Sequence, residues 1–582
     1  MSRSLFVIVN LGLAVLFIST AAPLLLGDGV GADYTFFLPR LLYGYFWQIE
    51  NGFFSVPWFS PAWCGGLPYF ADPQVMFFSV PQLLMLVLDP QQTVFATFVL
   101  FALFGGLGFY GLARAFGLSQ WFALIAAWLF VFNEFYTFRL LIGHFTYHVF
   151  PLTACIALFL INSSKSEGSI KWVNLLLAGI AIAYVVHAGG ANFLLPMMLS
   201  VTAIALIYSM KANASLVRLG AGLLQAGSIG FLLSVSKISA GIAFVRWFPR
   251  DSLSLGIFDS LLGSLFSIFT MLFMNPWLVL KDIPQEILVQ THELRYGVTV
   301  IPLLFLMLGL AALPRIIVRI NVRNLLAFVV LMLIVSLPIV LSIESSEIDA
   351  AIKSLPYFRE MSLAVRWVAL LIPLVILVPI LLAQLVIDEV ANQKVRRLIT
   401  GVMVVSFLVL IVPSHLLADR KMSVRYDPSA LYDGYKRVQE GGSVPIIKEI
   451  SSDSKDKTFL GMDDDFLRGG SSRICYQPLF GYRLEKYPLK PLRNGSLFAA
   501  QFENLNMKNP ACYLFPDENL CAPGDHFTVN QEDKLTNFST NQPFDWQQSW
   551  WQTMANWLNL AALLAGLVSF PVLMTRTNLG LK

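Results

Sequence analysis

The chain reads as a polytopic α-helical membrane protein, and three observations carry that reading. Of its 582 residues, 56% are hydrophobic and only 13% charged, about half the charged share of a soluble domain. The mean hydropathy is +0.67. Apolar windows of about 20 residues, enough for a helix to cross a bilayer, recur about 12 times, and Lys and Arg gather in alternate turns between them, the asymmetry that orients spans.

The first window, 5–26, follows Arg3. Its apolar run exceeds the roughly 7–15 residues of a signal-peptide core, so it predicts an uncleaved first span. The stretch 27–90 is then a first external loop. It is too rich in Pro and Gly for a span and too aromatic for a disordered linker. Its part 75–88 is apolar but short and flanked by Pro73, Pro81 and Pro90, which predicts an interfacial or re-entrant helix. Spans follow at 92–113, 119–136, 146–162, 171–187, 191–209 and 219–236. A second long external loop, 237–297, contains an apolar stretch at 257–273 that can dip into the bilayer. The remaining spans are 298–314, 324–343, 367–387, 398–417 and 552–573. This arrangement puts Arg3, Arg114, Lys165, Lys171, Lys211, Arg218, Arg315, Arg319, Arg323, Lys394, Arg396, Arg397, Arg576 and Lys582 on one side, the cytoplasmic one, with both termini. Counting an apolar dip as a hairpin raises the total from about 12 spans to about 14.

Three parts result: a transmembrane domain over 1–418, a soluble segment over 419–549, and a last span with its tail over 550–582. The middle part has few long apolar runs and many turn signals (DPSA, DGY, DDD, RNGS, PDEN, APGD). It predicts a small β-rich or α+β external domain, with TFLGMD, RICYQPLFGYRL and ACYLF as strands.

The net charge of +4 and the absence of basic runs argue against nucleic acid as a partner. Five cysteines show no CxxC or Cys/His spacing, which argues against zinc. Cys512 and Cys521 form a disulfide if they lie in an oxidising compartment, and are otherwise free thiols.

Several polar residues stand out against this background. Asp33 lies just past the first span, with Asp28 five residues earlier. A carboxylate at a membrane boundary can act as a general base, hold a divalent metal such as Mg or Mn, or be an ordinary loop acid. Asp72 precedes a proline and an apolar helix, so it is either a second site acid or a helix N-cap. Arg139, His144 and His148 share one turn, a grouping that can grip a phosphate or anchor the chain at the interface. His187 closes a span. Arg246, with Arg250, and Arg359, with Arg366, lie beside aromatics on the external side, where arginine is rare. Such guanidinium groups suit a departing phosphate or lipid headgroups.

The stretches GADYTFFLPRLLYG, NGFFSVPWFSPAWCGGLPYFADPQ, RLLIGHFTYHVFP and LPYFREMSLAVRW resemble the GT-C membrane glycosyltransferases, in particular the bacterial YfhO-like proteins and the polyprenyl-phosphate-sugar transferases. As a layout the resemblance covers roughly the first 390 residues. It implies a GT-C-like bundle with juxtamembrane helices in the first external loop, in the bacterial inner membrane, with a periplasmic active site. It implies a polyprenyl-phosphate sugar donor and a glycan, lipid or protein acceptor. The family's catalytic acid in the first external loop falls on Asp33. Members often carry paired acids there, whereas this chain reads GVGADY, so Asp72 becomes the second candidate. On this reading Arg139, Arg246, Arg359 and Arg366 hold the donor phosphate, and Asp28, His144, His148 and His187 line the substrate. Two other expectations compete with it: a flippase for a lipid-linked glycan, and a non-catalytic scaffold for envelope assembly.

Overall fold

A computed structural model describes residues 3–27, 29–212, 214–247, 260–274, 291–312, 322–355, 358, 364–416, 425–451, 459–473, 476–477, 482–483 and 491–578. Among these residues ten helices are long and apolar enough to cross a membrane, and a bent pair makes an eleventh. The protein is therefore an integral membrane protein of the polytopic helical class.

The helices begin where local chemistry starts them. α1 is Arg3–Leu25, α2 is Tyr34–Asn51, and α3 is the short Val80–Leu84. α4, Pro90–Ala115, is capped by Asp89, whose carboxylate accepts the Gln92 N–H at 2.8 Å, and Pro90 occupies the first turn. The expected span at 119–136 is present as one apolar crossing, Gln120–Ile142, built of two consecutive helices, α5 (Gln120–Val131) and α6 (Glu134–Ile142). Asn133 interrupts them and re-caps the second, its side chain accepting the Tyr136 N–H at 2.8 Å. The turn expected around 139–148 is thus helical through Ile142 and breaks at left-handed Gly143. α7 is Leu152–Lys165, α8 Gly168–His187 and α9 Leu194–Ala212.

α10 (Leu216–Leu232) and α11 (Val235–Trp247) meet at 71°, so the second long loop opens as a helix. α12, Leu261–Phe273, is the predicted apolar dip, with 13 residues. α13, Ile301–Gly309, is followed by one 3-10 turn, Leu310–Ala312, so the described part of the expected span at 298–314 is short. α14 is Val322–Glu344, α15 Ser346–Lys353, α16 Ile372–Glu389 and α17 Gln393–Leu416.

α4 packs on α5 and α7, α7 on α8 and α9, and α8 on α10. Gly179 of α8 and Gly230 of α10 face Ile229 and Ile182, and a Cβ on either glycine would come within 2.5 Å of the opposing isoleucine. Small residues at such crossings let membrane helices approach closely.

The segment after α17 is a small α+β unit. It holds α18 (Ser429–Gln439), α19 (Ala511–Leu514) and α20 (Glu532–Ser539). Among the short strands, Glu449–Ser451 pairs parallel with Gly470–Ser472 and antiparallel with Gly495–Ser496, and Asn504–Lys508 pairs with His526–Thr528. Of the expected strands, RICYQPLFGYRL supplies a hairpin, Tyr476–Gln477 against Tyr482–Arg483. TFLGMD enters a 3-10 helix, Phe459–Arg468, and ACYLF becomes α19, its start held by the Asn509 side chain accepting the Ala511 N–H at 3.1 Å. Cys512 and Cys521 are disulfide-bonded, and Cys64 is also in a disulfide.

This unit closes over the first long loop. Strand Arg425–Tyr426 pairs antiparallel with Val30–Gly31. The Lys508 N–H donates to the Gly65 carbonyl at 2.8 Å. Trp58 and Phe59 stack against Phe544 and Trp546 at 4.7–5.5 Å. Of these, Phe59 is buried and the other three are half-buried; burying one such ring fully contributes about 1.5–3 kcal/mol. α21, Trp550–Asn578, then returns along α8 and α11.

Candidate functional site

The site forms where the start of α2 is pressed onto the end of α6. The Asp33 N–H donates to the Ile142 carbonyl at 3.0 Å. A Cβ on Gly31 would lie 2.3 Å from the Ile142 backbone, and one on Gly143 would lie 2.3 Å from the Tyr34 nitrogen. Gly143 also has φ 108°, in the left-handed region that a side chain disfavours. Gly143→Ala is expected to cost about 2 kcal/mol or more from strain and clash together, read as a lower melting temperature of the purified protein.

This contact brings four of the sequence candidates into one chain of hydrogen bonds. His144 Nε2 lies 2.6 Å from Asp33 Oδ2, and its Nδ1 lies 2.9 Å from Arg139 Nη1. A guanidinium only donates, so Nδ1 is the acceptor, and Nε2–H donates to Asp33. Arg139 Nη2 reaches Glu293 Oε2 at 2.7 Å. Arg366 grips the same carboxylate with two nitrogens, Nε on Oε2 at 3.0 Å and Nη2 on Oε1. The rings of Phe135 and Tyr147 flank the Arg139 guanidinium at 5.6 and 5.7 Å. The series runs from sealed to open: side-chain exposure is 0% at Arg139, 6% at Glu293, 23% at Arg366 and 41% at Asp33.

Glu293 is the member that the sequence did not single out. The signal was indirect: Arg139 and Arg366 need a counter-charge, and Glu293 stands among few acids in the second long loop. Chemically, the open end offers a carboxylate with one oxygen fixed by His144, suited to take a proton from a hydroxyl or amine. The closed end offers a two-guanidinium clamp on one carboxylate, with Arg366 at its accessible edge.

The other candidates lie elsewhere. Asp72 is buried, its carboxylate accepting the Gln74 N–H at 2.8 Å. Its carbonyl, with that of Phe70, takes the Lys237 ammonium at 2.7 and 2.5 Å. It therefore braces the first long loop against α11, and Ser79, not Asp72, caps α3. His148 turns away from His144, with Nε2 2.9 Å from Tyr184 Oη and Nδ1 2.7 Å from the Phe145 carbonyl. His187 Nε2 lies 3.0 Å from the Leu233 carbonyl, at the bend between α10 and α11. Arg246 is exposed at the end of α11, over Trp247. Asp28 and Arg359 lie outside the described residues.

Among the described residues no group of three or more His, Cys, Asp or Glu is placed to hold a metal ion. At Asp33 the neighbouring imidazole presents an N–H and not a lone pair, with a guanidinium behind it, so these residues do not fit a divalent cation.

An apolar groove of about 800 Å³ runs between α8, α21 and the first long loop, lined by Trp58, Phe78, Ile180, Tyr184, Leu563 and Leu567 among others. Tyr184 is the partner of His148, on the 3-10 turn Phe145–Val149 that His144 opens.

A second charged cluster ties α2 to the α+β unit. The Arg40 guanidinium lies 3.4 Å from the Phe36 ring centroid and 4.5 Å from that of Trp63, and pairs with Asp463 at 3.1 Å. The Tyr426 hydroxyl donates to Asp464 at 2.6 Å, and Arg468 pairs with Asp465 at 2.8 Å. Burial, then the neighbouring Asp463, pushes the Asp464 carboxyl up from 3.8 to about 7, against the lowering effect of Tyr426 and Arg468. The fold thus favours its protonated form. Its contribution to stability is largest below 3.8 and is lost as pH rises towards about 7. Thermal melts across that window are expected to fall with pH at up to about 1.4 kcal/mol per unit, and Asp464→Asn is expected to flatten the slope.

Compared with protein-family models, with curated proteins and with solved structures, the chain matches none.

Proposed function

We propose that this protein is a membrane glycosyltransferase that moves a sugar from a polyprenyl-phosphate donor to an acceptor on the outer, periplasmic face of a bacterial inner membrane. The observation that carries the reading is the half-exposed Asp33 linked through His144 to the buried Arg139–Glu293–Arg366 clamp. Asp33 takes the proton of the acceptor hydroxyl or amine. The freed electron pair attacks the anomeric carbon, the carbon–oxygen bond to phosphate breaks, and the polyprenyl phosphate leaves with that electron pair. A single displacement inverts the anomeric centre. Charge developing on the phosphate is stabilised by the accessible edge of Arg366. The apolar groove suits the isoprenoid tail. The Cys512–Cys521 disulfide supports an oxidising, non-cytoplasmic setting for the α+β unit.

One observation favours a second reading, a flippase for a lipid-linked glycan. The α10–α11 pair is broken, with Lys237 buried just past the bend, and broken helices with buried charge mark many transporters. The bonds from Lys237 to the carbonyls of Phe70, Asp72 and Val75 make that lysine a strut, which weighs against it.

The test is a proteoliposome assay with labelled polyprenyl-phosphate sugar. Label appearing in a new glycosidic bond supports transfer. Label that crosses the bilayer unjoined means transport and overturns the transferase.

A further inference from the structure

The guanidinium groups of Arg139 and Arg366 share Glu293, and that of Arg40 has Asp463. Arg295 is different. Its residue is 6% exposed, yet among the described residues no carboxylate lies within ion-pair distance of it and no hydrogen bond ends on its side chain. Its Nε is sealed and unpartnered, and its Cζ lies 4.1 Å from the Phe138 ring centroid. The two terminal nitrogens are not among the sealed, unpartnered atoms.

The position is held by the backbone, not by the side chain. Arg295 lies two residues after Glu293 and next to Tyr296, and the Gly297 carbonyl accepts the Glu134 N–H at 2.8 Å. The arginine therefore lies along α6 on the Phe138 face, next in sequence to Arg139. A buried charge is retained where something compensates it, and here, among the described residues, the guanidinium has an aromatic ring against it and no carboxylate within ion-pair distance.

We propose that Arg295 is an anion-binding residue that takes the monoanionic phosphate of a phosphorylated lipid. Three features select that class. A guanidinium matches phosphate oxygens in pairs. Glu134, one turn from Phe138 on the same face, sits against the Arg295–Gly297 segment, a Cβ on Gly297 coming within 3.1 Å of its carboxylate, and it disfavours a second negative charge. Phe138 gives the guanidinium an apolar side, as a lipid interface does. A carrier-lipid phosphate and a bulk phospholipid share this chemistry.

The test uses the full-length protein in neutral detergent, with citronellyl methyl phosphate as a prenyl phosphodiester and with phosphatidylglycerol or phosphatidylcholine micelles as lipid probes. Wild type is expected to saturate with the prenyl phosphodiester, Arg295→Gln to bind it about tenfold more weakly or worse, and Arg295→Lys to recover part of the loss. The same dependence on phosphatidylglycerol alone would assign the bulk phospholipid as the source. Equal binding of every probe by wild type and Arg295→Gln would overturn the proposal. Arg295→Met supplies a check without ligand. Removal of an uncompensated charge is expected to leave the melting temperature unchanged or raise it, and a marked fall would reveal a structural partner and also overturn the proposal. The inference is separable from sugar transfer, because Asp33→Asn is expected to retain phosphate binding.

Discussion

If the protein is the transferase proposed above, Asp33→Asn is expected to lower the rate of sugar transfer by about 10²–10⁴-fold, the usual share of a positioned general base. The amide keeps an acceptor oxygen for the His144 Nε2–H, so the hydrogen bond to that ring survives. The side chain is 41% exposed, and a pair that open contributes about 0–1 kcal/mol to stability. Expression and melting temperature should therefore stay near wild type while turnover collapses. In the proteoliposome assay, wild-type turnover by the Asn variant would remove Asp33 from the mechanism.

The second large effect is on folding. Glu293→Gln leaves Arg139 and Arg366 side by side with no carboxylate between them. Removing one partner of a buried ion pair costs about 3–5 kcal/mol, because the stranded charge stays buried. The melting temperature should drop sharply, and Arg366 should lose its fixed orientation. Replacing Arg366 with Met in the Glu293→Gln background removes one stranded charge and is expected to recover part of the loss. A Glu293→Gln protein as stable as wild type would mean that the clamp is solvated and that the two arginines are held by other contacts.

The site was partly legible from residue type and position. Asp33, Arg139, His144 and Arg366 are polar groups at the ends of apolar windows, where an uncompensated charge needs a reason. Their convergence was not legible. Glu293 lies 154 residues from Arg139 and 73 from Arg366, and nothing in its own segment announces a role. Asp72 and Asp33 look alike as loop acids before a helix. Only the placement of α11 separates them, because it delivers Lys237 to the carbonyls around Asp72 and leaves Asp33 open.

Local sums decide what the sequence alone determined: the membrane class, the positions of most helices, and the polar segment between the last two long apolar windows. Each depends on the hydropathy of one window or on the charge of one turn, and neither needs a distant partner. Tertiary structure decided the rest. It bent the chain by 71° between α10 and α11, turned ACYLF from strand to helix, laid Arg425–Tyr426 along Val30–Gly31, and gave two arginines one shared glutamate. Those outcomes depend on which surfaces meet, and a carboxylate's partner is set by the lowest-energy packing of the whole chain, not by its neighbours in sequence.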